Sequence, residues 1–246
     1  ETQQPSLFGD CRQRRNENGS ALMTDVPLIA ISSPKVGAGK TTLAFNLIAA
    51  LLRDGYKVGV YSQSAEDFLQ KRSALIQNNP TMKMPENITK ENLLAQNYGD
   101  VTAVVADIQT EQNKDFIPVF SRAHTLITIV QNSDDILWQP SDSYLNLVWN
   151  VKKHQAAAGI KYLNWVVVEN KVVSENDELS NQLVLQSRRF GFRPAPALEQ
   201  RKAYTHIAEG YGAADLIGAK TINMSMADVY ARRELLVLAD FVWQQK

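Results

Sequence analysis

The sequence predicts an α/β fold, a parallel sheet flanked by helices on both faces. Three observations lead there. Short apolar runs recur at Val26-Pro27-Leu28-Ile29-Ala30-Ile31, Lys57–Tyr61, Val101–Ala106, Thr125–Val130 and Trp165–Val168, several of them continuous, as in strands buried on both faces. Stretches of helical spacing separate them, which implies right-handed crossovers between parallel strands. The first run leads into Ser33-Pro34-Lys35-Val36-Gly37-Ala38-Gly39-Lys40-Thr41-Thr42 and then a helical pattern. Strand, glycine loop and helix in that order form the setting of a loop that holds a triphosphate.

Residues 1–22 are polar, rich in Gln, Asn and Arg, and lack both periodicity and an apolar core. They are not a secretory signal, and the expectation is a disordered tail or non-native extension ahead of Met23. Residues 23–246 are expected to form a single domain. In the loop, Gly37 and Gly39 let backbone N–H groups turn inward around phosphate oxygens, and the helix starting near Thr41 aims its positive end at them. Lys40 would sit on the β- and γ-phosphates and the Thr41 hydroxyl on Mg²⁺. The alternative is a glycine-rich turn that happens to precede a helix.

That helix has apolar residues at 43, 44, 47, 48 and 51, and Asp54-Gly55 closes a turn before the second strand. Glu66–Ile76 has helical spacing, and a polar loop opens at Asn78-Asn79-Pro80 and runs to about Thr89. The run Val101–Ala106 ends in Asp107, and Ser141–Ala158 reads as a helix whose polar face carries Lys152, Lys153 and His154. Ligands of such sheets bind at the carboxyl ends of the strands, where the loop, Asp107 and Asn170 would converge. The last stretch, Met226–Trp243, has a broad apolar set, and its polar face sets only Arg232 and Arg233 against Asp228, Glu234 and Asp240. Core packing explains it better than a membrane surface, which favours Lys and Arg.

Hydrophobic residues make up 44% and charged residues 21% of the 246 residues, with zero formal net charge. That balance suits a globular protein, and any nucleic-acid contact must come from a local basic patch. Arg188, Arg189, Arg193, Arg201 and Lys202 form such a patch in sequence; it reads equally as a solvated helix face offsetting a helix C-terminus. The one cysteine, Cys11, excludes an internal disulfide framework, and no apolar run approaches the length of a membrane span. A soluble, cytoplasmic protein is expected. The three histidines show no metal-ligand spacing.

The loop departs from the usual spacing, which would need glycine at position 34, and carries a second lysine, Lys35. In this it resembles the deviant Walker A motif, Lys-Gly-Gly-x-Gly-Lys-Thr, of the ParA/MinD family of dimerising P-loop ATPases, with Val36 in place of the first glycine. The segment Trp165-Val166-Val167-Val168-Glu169-Asn170-Lys171 is also similar to that family. Arg188-Arg189-Phe190-Gly191-Phe192-Arg193, Ala197-Leu198 and Ala231-Arg232-Arg233-Glu234-Leu235 resemble its MipZ branch, whose members position the division plane. The similarity spans roughly residues 26–243.

The resemblance implies a P-loop NTPase that binds ATP and Mg²⁺ through Lys35, Val36, Gly37, Ala38, Gly39, Lys40, Thr41 and Thr42. Lys35 would reach the nucleotide of a second copy in an ATP-bound homodimer. Asn170 would hydrogen-bond the adenine; taken alone, an asparagine at a strand end is a turn residue. Thr41 and Asp107 would hold the metal, and Lys35, Lys40 and Asp107 would carry catalysis. Arg188, Arg189, Arg193 and Arg201 would bind DNA without sequence specificity, placing the protein on the nucleoid, with a ParB-like protein as partner. Two family features are missing. Ser62 and Ser64 stand where the family has aspartates, and Ile108-Gln109-Thr110-Glu111 replaces its Pro-Gly switch. Serine brings no negative charge to a metal or an attacking water. Nucleotide binding with slow hydrolysis is therefore expected, the alternative being a pseudo-ATPase scaffold. Glu66, Asp67 and Glu111 are the acids that would decide between them.

Overall fold

The computed structural model describes residues 26–131, 135, 143–159, 163–173, 177–216 and 224–243. The expected tail 1–22 and the first residues of the predicted helix from Ser141 lie outside them. The strands are β1 (Leu28–Ser32), β2 (Val58–Tyr61), β3 (Glu86–Asn87), β4 (Ala103–Asp107), β5 (Thr125–Val130), β6 (Asn164–Val172), β7 (Arg193–Pro194) and β8 (Leu198–Glu199). The helices are α1 (Lys40–Arg53), α2 (Ala65–Ile76), α3 (Lys90–Ala95), α4 (Ile117–Phe120), α5 (Ser143–Ala157), α6 (Asp177–Phe190) and α7 (Met226–Trp243). Short 3-10 segments lie at Thr110–Gln112 and Lys202–Glu209.

All strand pairs are parallel, in the order β3-β2-β4-β1-β5-β6-β7, with β8 pairing β6 separately. The period-2 alternation of strand side chains divides the core in two. Ile29, Ile31, Val58, Val60, Val105, Ile127, Ile129, Val166 and Val168 face α1, α2 and α7. Leu28, Ala30, Val104, Ala106, Leu126, Val130, Trp165 and Val167 face α3 to α6. Both faces are thus covered, which is why the strands read as apolar runs rather than alternating ones.

The expected polar loop before Thr89 contains β3, an exposed two-residue edge strand, and Thr89 then caps α3 by accepting from the Asn92 N–H at 3.2 Å. β6 does not end at Asn170 but continues to Val172, with a shift of register against β8 between Asn170 and Val172. α7 buries Ala231, Leu235, Leu238, Ala239 and Val242 in the core. Among the described residues no helix is long and apolar enough to cross a membrane. Lys152, expected on a solvated face, is half-buried: its Nζ donates to Phe190 O at 2.8 Å and lies 5.0 Å from the Trp165 ring centre. It closes the C-terminus of α6, where carbonyls lack helical partners.

Candidate nucleotide-binding site

β1 delivers the chain to the carboxyl edge of the sheet, and the loop 33–39 returns it to α1. Gly37 and Gly39 hold φ of 80° and 98°, a left-handed backbone that favours glycine. Gly39 is the N-cap of α1, with no side-chain capping bond. An uncapped helix start beside a glycine loop is an anion-receiving geometry. Behind the loop, Ser33 Oγ donates to Ile129 O at 3.1 Å and Ser32 Oγ to Asn113 Oδ1 at 3.0 Å, fixing its base to the neighbouring strand and to the segment after β4.

Four predicted residues meet here. Thr41 Oγ1 donates to Asp107 Oδ2 at 2.7 Å, and Ser62 Oγ donates to the same oxygen at 2.8 Å. The other oxygen, Asp107 Oδ1, is buried without a hydrogen-bond partner. Such an orphaned acceptor is costly unless a ligand satisfies it. A hard carboxylate oxygen beside a threonine hydroxyl is a donor set that fits Mg²⁺. Lys40 is nearly buried, and its Nζ donates to Thr110 Oγ1 at 2.9 Å. Burial pushes the Lys40 ammonium pKa down, against the attraction of Asp107 and Glu111.

Burial likewise raises the Asp107 pKa, opposed by the Thr41 and Ser62 hydrogen bonds and by Lys40. The folded state then holds this proton more tightly than the unfolded chain does. The stabilising contribution is full below the ordinary carboxylate range and is lost as pH rises through the raised value. Asp107→Asn is therefore expected to raise the melting temperature at about pH 7.5, by about 2–4 °C for each kcal/mol recovered. The gain should shrink toward about pH 4. Scanning calorimetry at both pH values checks this, and a lower melting temperature at neutral pH would contradict it.

Asn170 also reaches the loop, where its Nδ2 donates to Ala38 O at 2.8 Å; a Cβ on Gly39 would collide with this amide. Lys171 Nζ donates to Gly37 O at 3.0 Å and Gln131 Nε2 to the same carbonyl at 3.2 Å. Beside the end of β6 opens a shallow groove of about 520 Å³, lined by Val172, Val173, Glu199, Gln200, Arg201, Lys202 and Thr205. Lys35 is ion-paired with the buried Asp135 of its own chain, while Val36 is 70% exposed. Thr42, in the first turn of the helix, accepts at its backbone carbonyl from Asn46 Nδ2.

Asn113, Gln131 and Asp135 carry no signal in the sequence, and Thr110 and Lys171 appear there only inside longer segments, with no role of their own. Each is a lone polar residue whose partner lies 70 or more positions away, apart from Asp135 with Gln131. Of the three candidate acids, Asp67 is paired with Lys71 at 2.8 Å and Glu66 is exposed on α2. Glu111 is the one whose charge bears on Lys40.

The arginines separate into two kinds. Arg188 and Arg189 are exposed at the end of α6. Arg193 instead donates to Asn164 Oδ1 at 3.0 Å and lies 4.2 Å from the Phe241 ring centre. Arg201 Nε donates to Glu234 Oε1 at 2.8 Å, and its Nη2 pairs with Glu199 Oε2 at 2.8 Å. The sequence cluster therefore includes two cations already engaged within the fold. Among the described residues no group of three or more His, Cys, Asp or Glu side chains is placed to hold a metal.

Comparison with known proteins adds to this geometry. The family model described as ATPase MipZ matches residues 124–242. No curated protein matches the chain. Among solved structures, the MinD cell division protein of Aquifex aeolicus superposes with a TM-score of 0.58 at 16% identity, covering 89% of this chain and 98% of that one. A putative plasmid partition protein of Borrelia burgdorferi bound to AMPPNP gives 0.53 at 16%, covering 87% and 98%. An ATP complex of McdA from Cyanothece gives 0.54 at 13%, covering 90% and 99%. At these identities the likeness speaks for the fold. The solved structures thus share this chain's fold, a parallel sheet flanked by helices, and residues 124–242 are similar to the family described as ATPase MipZ.

Proposed function

We propose that this chain binds ATP with Mg²⁺ and uses the bound nucleotide to switch from monomer to homodimer, as part of the machinery that positions cell division or segregates DNA. The observation that carries the reading is the convergence of Lys40, Thr41 and Asp107 on one uncapped helix start, with Asp107 Oδ1 left unsatisfied. Lys40 would contact the β- and γ-phosphates, and Thr41 with Asp107 would hold the metal, whose charge offsets that of the phosphate oxygens. The groove beside β6 would take the adenine, next to Asn170. Two of the related structures hold ATP or its analogue AMPPNP.

Hydrolysis is the weaker half of the cycle. Ser62 spends its hydroxyl proton on Asp107 and brings no carboxylate to orient a water. Glu111 is then the acid available for that task, so turnover is slow, and a scaffold that binds nucleotide without turnover is the second reading. DNA contact would fall to Arg188 and Arg189, since Arg193 and Arg201 are engaged. A ParB-like protein is the proposed partner.

The dimer gives the test. Lys35 must exchange Asp135 for the partner copy's nucleotide, so Lys35→Ala should retain ATP affinity but lose dimerisation. Titration calorimetry with a non-hydrolysable ATP analogue measures the first and light scattering in its presence the second. A parent that stays monomeric at saturating analogue would refute the switch, and an unchanged dimer fraction in Lys35→Ala would refute the role of Lys35.

A further inference from the structure

We infer that Asn170 and Lys171 clamp the phosphate loop from outside, and that Lys171 is a nucleotide-positioning residue. The inference rests on the nucleotide-binding reading above and adds a device that sets the loop's receptive shape. Two consecutive residues of β6 grip two consecutive carbonyls of the loop. Lys171 Nζ takes Gly37 O at 3.0 Å, and Asn170 Nδ2 takes Ala38 O at 2.8 Å.

In a regular strand this would not happen, because neighbouring side chains leave opposite faces of the sheet. The backbone of β6 is altered at this point. Lys171 has φ of 61°, and Gln96 is the only other non-glycine residue at positive φ among the described residues. Gln96 ends α3 as its left-handed C-cap, a position where such a backbone is common. Lys171 lies inside a strand, where the register against β8 shifts between Asn170 and Val172. A bulge of this kind re-aims a side chain, and here it brings Lys171 to the loop alongside Asn170. A lysine in the left-handed region is unfavourable, so the rest of the structure must hold it there.

The consequence follows from peptide geometry. In a planar trans peptide the C=O of one residue and the N–H of the next point in opposite directions. Pinning the Gly37 carbonyl therefore turns the Ala38 N–H away from β6, and pinning the Ala38 carbonyl does the same for the Gly39 N–H. These are the loop amides that would receive phosphate oxygens. Gln131 Nε2, from the end of β5, adds a second donor to the Gly37 carbonyl at 3.2 Å. Without these donors the glycines at 37 and 39 would leave the peptide planes free to turn, and anion binding would first have to order them.

The test compares the parent with Lys171→Met, which keeps the stem and loses the donor, and with Lys171→Gly, which also relieves the positive φ. Titration calorimetry with Mg²⁺-ATP and with inorganic tripolyphosphate is read beside the melting temperature of the nucleotide-free protein. Both variants should bind both ligands about tenfold more weakly, the scale of one lost charge-assisted hydrogen bond. Lys171→Gly should melt at or above the parent, and Lys171→Arg should recover part of the affinity. Affinities within twofold of the parent for both ligands would overturn the clamp, as would a loss confined to ATP, which would put Lys171 at the base or ribose. A lower melting temperature with unchanged affinity would mark a purely structural role and also overturn it. A parent that binds neither ligand would instead remove the nucleotide-binding reading and the clamp with it.

Discussion

Replacing Asp215 with alanine is expected to cost about 3–5 kcal/mol of folding stability, the range for breaking a buried ion pair from one side. The Arg72 side chain is fully buried, and its guanidinium donates to Asp215 Oδ2 at 2.8 Å, Asp215 Oδ1 at 3.1 Å, Gly210 O at 3.1 Å and Lys83 O at 2.7 Å. Asp215 Oδ2 also accepts the Gly212 N–H at 2.8 Å. Removing the carboxylate leaves a desolvated cation with only neutral carbonyls. Nor can the site collapse around it, since a Cβ at Gly210 would already lie 2.8 Å from the Arg72 backbone nitrogen. Joint replacement, Arg72→Met with Asp215→Leu, should recover much of the loss by substituting packing for the pair. Urea unfolding of parent, single and double variants measures the three values. A single-variant loss below about 1 kcal/mol would mean that the arginine is paired no better than a surface one. The pair matters for the site because it anchors α2, whose N-terminus follows directly on Ser62 and its contact with Asp107.

The parts of the fold legible in the sequence are those decided locally. Largely apolar runs marked β1, β4, β5 and β6 because burial on both faces leaves few polar positions, and the glycine loop marked the start of α1. β3, β7 and β8 were invisible for the opposite reason. Each is two residues long and owes its existence to a neighbour, β2 for one and β6 for the others. Such elements leave no periodicity to detect. The site divides in the same way. Lys40, Thr41 and Asp107 were legible from motif and strand end, whereas Thr110 and Asp135 were not, since each acts by meeting a lysine far away in sequence. Charge misled in one respect. Arg193 and Arg201 read as a patch with Arg188 and Arg189, but Asn164 and Glu234 neutralise or bind them from β6 and α7. A run of charges shows where cations are, and only the tertiary fold shows which ones are spent.

Lys40→Met is expected to reduce ATP affinity by about 10²–10⁴-fold, because the two charge-assisted contacts proposed for it on the β- and γ-phosphates, each worth about 1.5–3 kcal/mol, would be removed together. The same change should not destabilise the nucleotide-free protein. Lys40 is buried, and desolvation lowers its pKa, so the folded state holds this proton less tightly than the unfolded chain does. The ammonium therefore costs stability at any pH where the unfolded lysine is protonated, and the cost is relieved only as pH rises toward the ordinary lysine value. Methionine keeps the stem in place and removes the charge. Its own cost is the Thr110 hydroxyl, which loses the Lys40 donor but keeps its bond to Ser33 O at 3.3 Å. Stability at neutral pH should thus be equal to or above that of the parent while affinity collapses. That opposition separates a ligand-binding lysine from a structural one. Calorimetric titration with Mg²⁺-ATP beside thermal melting provides both numbers. Undiminished affinity would remove Lys40 from the phosphate site, and a fall in melting temperature matching the loss of affinity would mean that the lysine holds the loop rather than the nucleotide.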